Sequence, residues 1–400
     1  MGVDIAEPTS GAASRRQPWL VPPRLRTATD EPEERRATWL ELFFDLVFAL
    51  AIAELARELV HDHSLGGFAQ FAGLFVPVWV AWQGYMAYAD RFDSDDLAFR
   101  AAYFAAMLAI ASMAVLIPDV ADGFHSAGFA ISYVLLRSIM LCLYARAWRS
   151  APAARIIIGY YGTGYSVAVG IWLVSLAFDS PTRYVLWGVA LALDLVLPPF
   201  SMLLPRRVPT SPIHLPERWA LFTLIVLGES VVAVGLQTAS ADWHVRSAVA
   251  AVFGFTGVAA IWWLYFDRQA SVVLGPSAPV VMIYSYAHLP LLLGLAATSA
   301  GLRLLIENAG QDHLGLGASV AFLGGSVVFI LSLVVTRVVI VGGRHRLGVG
   351  LKVGAVTLLL GLLALQGSLA PVALAGAAAF VLVALVVAEW WLFPEFGEIA

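Results

Sequence analysis

Residues 35–58 read RRATWLELFFDLVFALAIAELARE. The run is long enough to cross a bilayer, because a transmembrane helix needs about 20 mostly apolar residues, and it is entered from a basic side. Yet it carries Glu41 and Asp45 in its first half and Glu54, Arg57 and Glu58 toward its far end. A carboxylate in hydrocarbon costs about 2.5 kcal/mol or more, so these acids are expected to face a protein interior or a water-filled cavity. The remainder of the chain then has to supply that interior.

It has the composition to do so. Hydrophobic residues fill 60% of 400 positions and charged residues 13%, against about 25% charged in a soluble domain. A single soluble core is excluded. The net charge of −4, with basic residues scattered through short loops, presents no face for nucleic acid. Cys142 is the one cysteine, which excludes an intramolecular disulfide and a cysteine metal cluster. Residues 1–34 are polar and carry five prolines, Pro8, Pro18, Pro22, Pro23 and Pro32, with no apolar core of a cleavable signal. They are expected as a disordered cytosolic tail, with the first span acting as its own anchor.

Twelve apolar spans follow, at 38–59, 68–89, 97–117, 127–148, 155–177, 183–204, 217–238, 246–266, 278–301, 317–340, 349–366 and 370–392. Placing the amino terminus inside puts 19 of the 24 basic residues on cytosolic loops. Arg57, Arg183, Arg246 and Arg303 fall outside and Arg137 falls within a span. The positive-inside rule then predicts both termini in the cytosol. The 34 glycines suit close helix packing.

The two halves, 35–204 and 205–400, correspond in outline. Tyr88-Ala-Asp90-Arg91 closes the second span and Tyr265-Phe-Asp267-Arg268 the eighth, each preceded by tryptophans. Glu41 and Glu54 in the first span are matched by Glu217 and Glu229 in the seventh. Six crossings per unit would make the repeats parallel. The expected fold is therefore all-α: a polytopic transmembrane helical bundle of about 12 spans in two parallel six-helix pseudo-repeats.

Three blocks carry a resemblance: residues 38–48 (TWLELFFDLVF), 91–96 (RFDSDD) and 217–230 (ERWALFTLIVLGES). They resemble the bacterial low-temperature-requirement A (LtrA) family, and the likeness runs through most of the chain after the tail. His214-Leu-Pro-Glu217 is a small departure from the family's usual polar group just before the third block. The resemblance implies a polytopic bacterial inner-membrane protein. It supplies no reaction or substrate.

Chemistry must come from polar residues at depth. Glu229 lies about twelve residues, roughly 18 Å, into its span, and Arg137 and Asp194 fall near the middle of theirs. Arg137 is expected to pair with Asp45, Asp194 or Glu229, because a buried arginine without a carboxylate is costly. The remaining acids would then hold a proton or a cation, or the ions would serve only to join helices. His288, beside Pro290, reads as a proton relay or a hydrogen-bonded core histidine. Trp82 and Trp262 head aromatic clusters that read as cavity wall or as interface anchors.

The loop Asp90-Arg-Phe-Asp-Ser-Asp-Asp96 gives a second option. Asp90, Asp93 and Asp96 could hold Mg²⁺ for a diphosphate, and Asp93-Ser-Asp-Asp96 looks like the motif of acid-initiated terpene cyclases, with Asp95 as the acid. The plainer reading is that Asp95 or Asp96 caps the third span. Two functions therefore compete. One is a transporter or ion pathway for a small solute, coupled to protons or a cation through Asp45 and Glu229, with Glu54, Arg137, Asp194, His288, Trp82 and Trp262 also at the substrate- or ion-binding site and no cofactor. The other is an intramembrane enzyme acting on an isoprenoid with Mg²⁺. A non-catalytic role in membrane adaptation is the third. The lipid bilayer and a small-molecule or ion substrate are the expected partners, with no nucleic acid.

Overall fold

The computed structural model describes residues 19–26, 37–121, 123–204, 214–240, 245–267, 274, 277–341 and 346–393. Among these are twelve helical segments long enough to cross a membrane. They are α1 (Trp39–His61), α2 (Leu65–Arg91), α3 (Leu97–Ala121), α4 (Ser126–Ser150), α5 (Arg155–Ser175), α6 (Thr182–Ser201), α7 (His214–Ser240), α8 (Val245–Phe266) and α9 (Ala278–Glu307). The tenth crossing joins α10 (Leu316–Ser319), a π-helical turn Val320–Gly324 and α11 (Gly325–Val341); α12 (Arg346–Ala364) and α13 (Pro371–Leu392) complete the set. Eleven of these are apolar enough to cross a membrane by composition alone. The other is α1, with five charged residues among 23.

Local chemistry explains why α1 begins where it does. Thr38 and Glu41 form a capping box: the Thr38 hydroxyl accepts from the Glu41 amide at 3.2 Å and Glu41 accepts from the Thr38 amide at 2.8 Å. Glu41 is thereby held at the membrane edge. One turn on, Asp45 points inward with Phe44 and Phe48, whereas Phe43, Leu46 and Leu50 face outward. The bundle supplies the interior that the acids of α1 require.

In the first half α1 packs on α2 and α3, followed by α3–α4, α4–α5, α5–α6 and α2–α6 pairs. The same scheme recurs later as α7–α8, α7–α9, α9–α11, α11–α12, α12–α13 and α8–α13. The halves meet chiefly where α1 lies against α7 and α9. The most enclosed crossing is α9, with 78% of its apolar window inside the bundle. Its tight contact with the tenth crossing depends on glycine. A Cβ on Gly325 would lie 2.6 Å from the Gly294 carbonyl, and one on Gly301 would collide with the Phe322 backbone. Small residues let these backbones approach, as membrane helices commonly require.

The amino-terminal segment departs from its expectation as a disordered tail. β1 (Arg24–Leu25) pairs antiparallel with β2 (Phe92–Asp93) in the α2–α3 connection. The Val21 amide donates to Asp96 at 2.9 Å and the Arg26 amide to the Arg91 carbonyl at 3.1 Å. Backbone pairing outweighs polar composition here because the α2–α3 connection offers free strand-like donors and acceptors. The other residues of 1–34, and Arg35, Arg36, Arg206, Arg207, Arg268 and Arg344 of the arginine count, lie outside the described residues.

Candidate functional site

Each acid at depth has an arginine of its own. Arg137 donates to Asp194 at 2.6 Å, and the Tyr133 hydroxyl donates to the second Asp194 oxygen at 3.1 Å. Both ions are almost wholly buried, and the guanidinium lies over the Tyr165 ring at 4.1 Å. Asp45 instead takes Arg218 at 2.6 Å and the Trp82 indole at 2.7 Å. Glu229 pairs with Arg303, and Glu54 with Arg57. Arg57 and Glu54 are near enough to act on Glu229 electrostatically, so these four form one cluster among α1, α7 and α9. Span counting puts Arg218 and Arg303 on loops; both lie within helices, α7 and α9, and Arg218 is buried.

His288 is a satisfied core residue. Its Nδ1 lies 2.8 Å from the Tyr284 carbonyl, which can only accept, so Nδ1 carries the proton and Nε2 accepts from the Tyr265 hydroxyl at 2.9 Å. The ring stacks on Trp219 at 4.5 Å. Trp82 is buried against Phe222 at 4.2 Å. Trp262 is elsewhere: it is 43% exposed on the bundle surface, beside Trp263 and Phe266.

The aspartates of the α2–α3 connection do not converge. Asp90 turns inward to His214 Nδ1 at 3.2 Å, and His214 Nε2 lies 3.7 Å from Glu41. Asp95 is exposed and pairs with Arg100 at 2.8 Å. Asp96 caps α3, accepting from the Phe99 amide at 3.0 Å, and it also holds Arg146 at 2.5 Å. Burial pushes the Asp96 carboxyl up, but the Phe99 and Val21 amides and the Arg146 guanidinium outweigh it and hold the group below the ordinary carboxylate range. The Asp93 side chain lies outside the described residues. No group of three or more His, Cys, Asp or Glu placed to hold a metal occurs among the described residues.

Two cavities lie along the seam between α2 and α6. One, of about 160 Å³, opens near the arginine-rich end and is lined by Val80, Gln83, Gly84, Asp90, Arg91, Arg137, Tyr161, Tyr165, Asp194 and Ser285, among others. The other, of about 810 Å³, lies at the opposite end, between Asp62, Gln70, Pro77, Tyr184, Trp187, Gly188, Leu191 and Leu195. They approach closely: Pro77 lines one and Val80 the other, about 4.5 Å apart along the helix. Trp79 packs edge-on against Tyr286 at 5.6 Å in between, and the Tyr286 hydroxyl donates to the Leu195 carbonyl at 2.5 Å.

Sequence reasoning missed Arg91, Tyr165 and Gly84 as cavity residues and Arg218 as a buried partner. Periodicity signals which helix exists, not which helices are neighbours. The Arg218 position, one residue beyond Glu217 at a span edge, was the one available hint.

A relative from Rhizobium meliloti (strain 1021), described as an uncharacterized protein, is 27% identical over 324 residues, covering 75% of this chain and 77% of the relative. The family model for bacterial low temperature requirement A protein matches residues 36–388. That match takes in all twelve crossings almost to the end of α13, and this membrane protein belongs to the bacterial low temperature requirement A (LtrA) family.

Proposed function

We propose that the protein moves a small solute across the membrane along the seam between α2 and α6. The observation that carries this reading is the pair of cavities reaching toward opposite ends of that seam, separated by about one helical turn at Trp79, Tyr286 and Leu195. A solute would alternate between them if α6 shifted against α2. The packing supports such a shift: α2 touches α6 far less extensively than α8 touches α13 at the matching place in the other half. Rigid elements that rock around a fixed site are the usual means of alternating access.

Coupling through Asp45 and Glu229 draws little support from their surroundings, since each carboxylate already holds an arginine. The enzyme reading is weaker still, because Asp90, Asp95 and Asp96 have three separate sets of partners. The orientation proposed from the arginine distribution puts the smaller cavity on the cytosolic side of a bacterial inner membrane.

The test is metabolite uptake by membrane vesicles from expressing and non-expressing cells, read by untargeted mass spectrometry. Gly188→Trp fills the larger cavity, and a Cβ at Gly188 meets nothing within 4 Å, so the helix itself is not disturbed. Gly350→Trp, equally unobstructed but on α12, is the control. Transport that Gly188→Trp abolishes and Gly350→Trp spares supports the seam. Uptake unaltered by Gly188→Trp would exclude it.

A further inference from the structure

We infer that the smaller cavity is a binding site for a small organic carboxylate, recognised by Arg137. The inference rests on the transport reading and supplies its substrate class. It begins from an imbalance on the cavity wall. Arg137 is 1% exposed and lines the cavity, yet its Nε and Nη1 have no hydrogen-bond partner; only Nη2 reaches Asp194. Arg91, on the same wall, bonds the Ala87 carbonyl through Nη1 at 3.1 Å but leaves Nε without a partner. Every buried side-chain polar atom of the lining that lacks a partner is thus a guanidinium donor.

Arginine cannot shed its proton to escape that position. A buried charged donor left without an acceptor is costly, so the cavity is matched to a ligand that brings acceptors and negative charge. Asp194 meets this guanidinium through Nη2 alone, and its other oxygen accepts from Tyr133. The approach is built for close contact. Gly84 lines the cavity, and a Cβ there would lie 3.0 Å from Arg137 Nη1.

The remaining lining selects the ligand's body and charge. Val80, Met86, Ile157, Leu215, Val281 and Met282 are apolar and suit a carbon skeleton rather than a hydrated inorganic ion. Asp90 also lines the cavity and disfavours a compact dianion such as phosphate. A volume of about 160 Å³ is below the roughly 300 Å³ at which drug-sized pockets begin. A carboxylate of a few carbons fits these limits. Arg137 is the recognising residue, and Asp194 with Tyr133 positions its guanidinium.

The experiment is titration of the purified full chain in detergent with sodium acetate, butyrate and succinate, followed by calorimetry and thermal unfolding. Acetamide, butyramide and sodium chloride at matched ionic strength are the controls. The carboxylates should bind and raise the unfolding midpoint, while the amides and chloride should not. Arg137→Gln combined with Asp194→Asn removes both charges together and should weaken carboxylate binding by about tenfold or more. Asp194→Asn alone leaves Arg137 charged without its partner, so carboxylates should bind it more tightly and restore its stability. Amides or chloride acting as well as carboxylates, no binding by any of the three carboxylates, or a double variant that responds as the parent would each overturn the site. Carboxylate binding without flux into liposomes would instead sink the transport reading and leave the site standing. Flux of a neutral or cationic solute with no carboxylate binding would do the reverse.

Discussion

The Asp45–Arg218 pair offers the sharpest test of how the halves are joined. Arg218 lies at the start of α7 and donates to Asp45 of α1 at 2.6 Å, and both are essentially inaccessible. Arg218→Gln leaves the Asp45 carboxylate with only the Trp82 indole at 2.7 Å. Breaking a buried pair from one side costs about 3–5 kcal/mol, because the surviving charge stays uncompensated in a poorly polarisable interior. Asp45→Asn should cost a similar amount by exposing Arg218 to the same problem. The double variant Asp45→Asn with Arg218→Gln removes both charges and keeps both shapes, so it should return to within about 2 kcal/mol of the parent. The two mutations should therefore couple by about 4 kcal/mol or more. The assay is reversible unfolding in mixed micelles followed by tryptophan fluorescence, with the four proteins of the cycle compared at one pH. A double-variant loss equal to the sum of the single losses, within about 0.5 kcal/mol, would refute the reasoning.

Glu229→Gln should cost less than Asp45→Asn, about 1–2 kcal/mol, because Glu229 and Arg303 are each 14% exposed and water can take up part of the lost interaction; the same unfolding assay ranks them. Gly301→Ala sets a Cβ against the Phe322 backbone, which cannot rotate away, so it should destabilise by about 3 kcal/mol or fail to fold, whereas Gly350→Ala, in open space, should be neutral in the same measurement. Asp96→Asn should free the amino-terminal segment and speed tryptic cleavage after Arg24 and Arg26, since Asp96 holds the Val21 amide and Arg146. The folded Asp96 carboxyl sits below its unfolded value of about 3.9, so its contribution is complete above that pH and is lost as pH falls through the folded value; protection of the Val21 amide against hydrogen exchange, relative to the intrinsic rate at each pH, should hold at pH 5 and fall only below about pH 4.

How much of this was legible beforehand follows a physical line. Each expected apolar span has a helix, because hydropathy and length are properties of a segment and need no neighbour. α1 was recognised in spite of its charges, because its acids are spaced within an otherwise unbroken apolar run. The Asp96 cap was foreseeable for the same reason: a carboxylate at the start of a helix meets free amides wherever the helix lies. His288 was ambiguous between a proton relay and a hydrogen-bonded core residue, and Trp262 between cavity wall and interface anchor, because neither choice is set by the residue's own segment. The structure sends His288 to Tyr265 and Trp219, and Trp262 to the outer surface. The docking of residues 19–26 was illegible, since a short polar segment becomes ordered only when another segment offers it a backbone edge.

Sequence alone therefore settled that this chain is an all-helical membrane protein, where its long helices run, and that charges lie at depth and require partners. Those conclusions rest on the cost of moving single groups from water to hydrocarbon, which each residue carries with it. Which arginine meets which acid, and that the α2–α6 seam stays open at two places while α8 and α13 close together, belong to the tertiary structure. They depend on the relative rotation and spacing of helices far apart in the chain. That arrangement is decided jointly by packing at positions such as Gly294, Gly301 and Gly325, where close approach of two backbones on one side of α9 leaves the other helices their places.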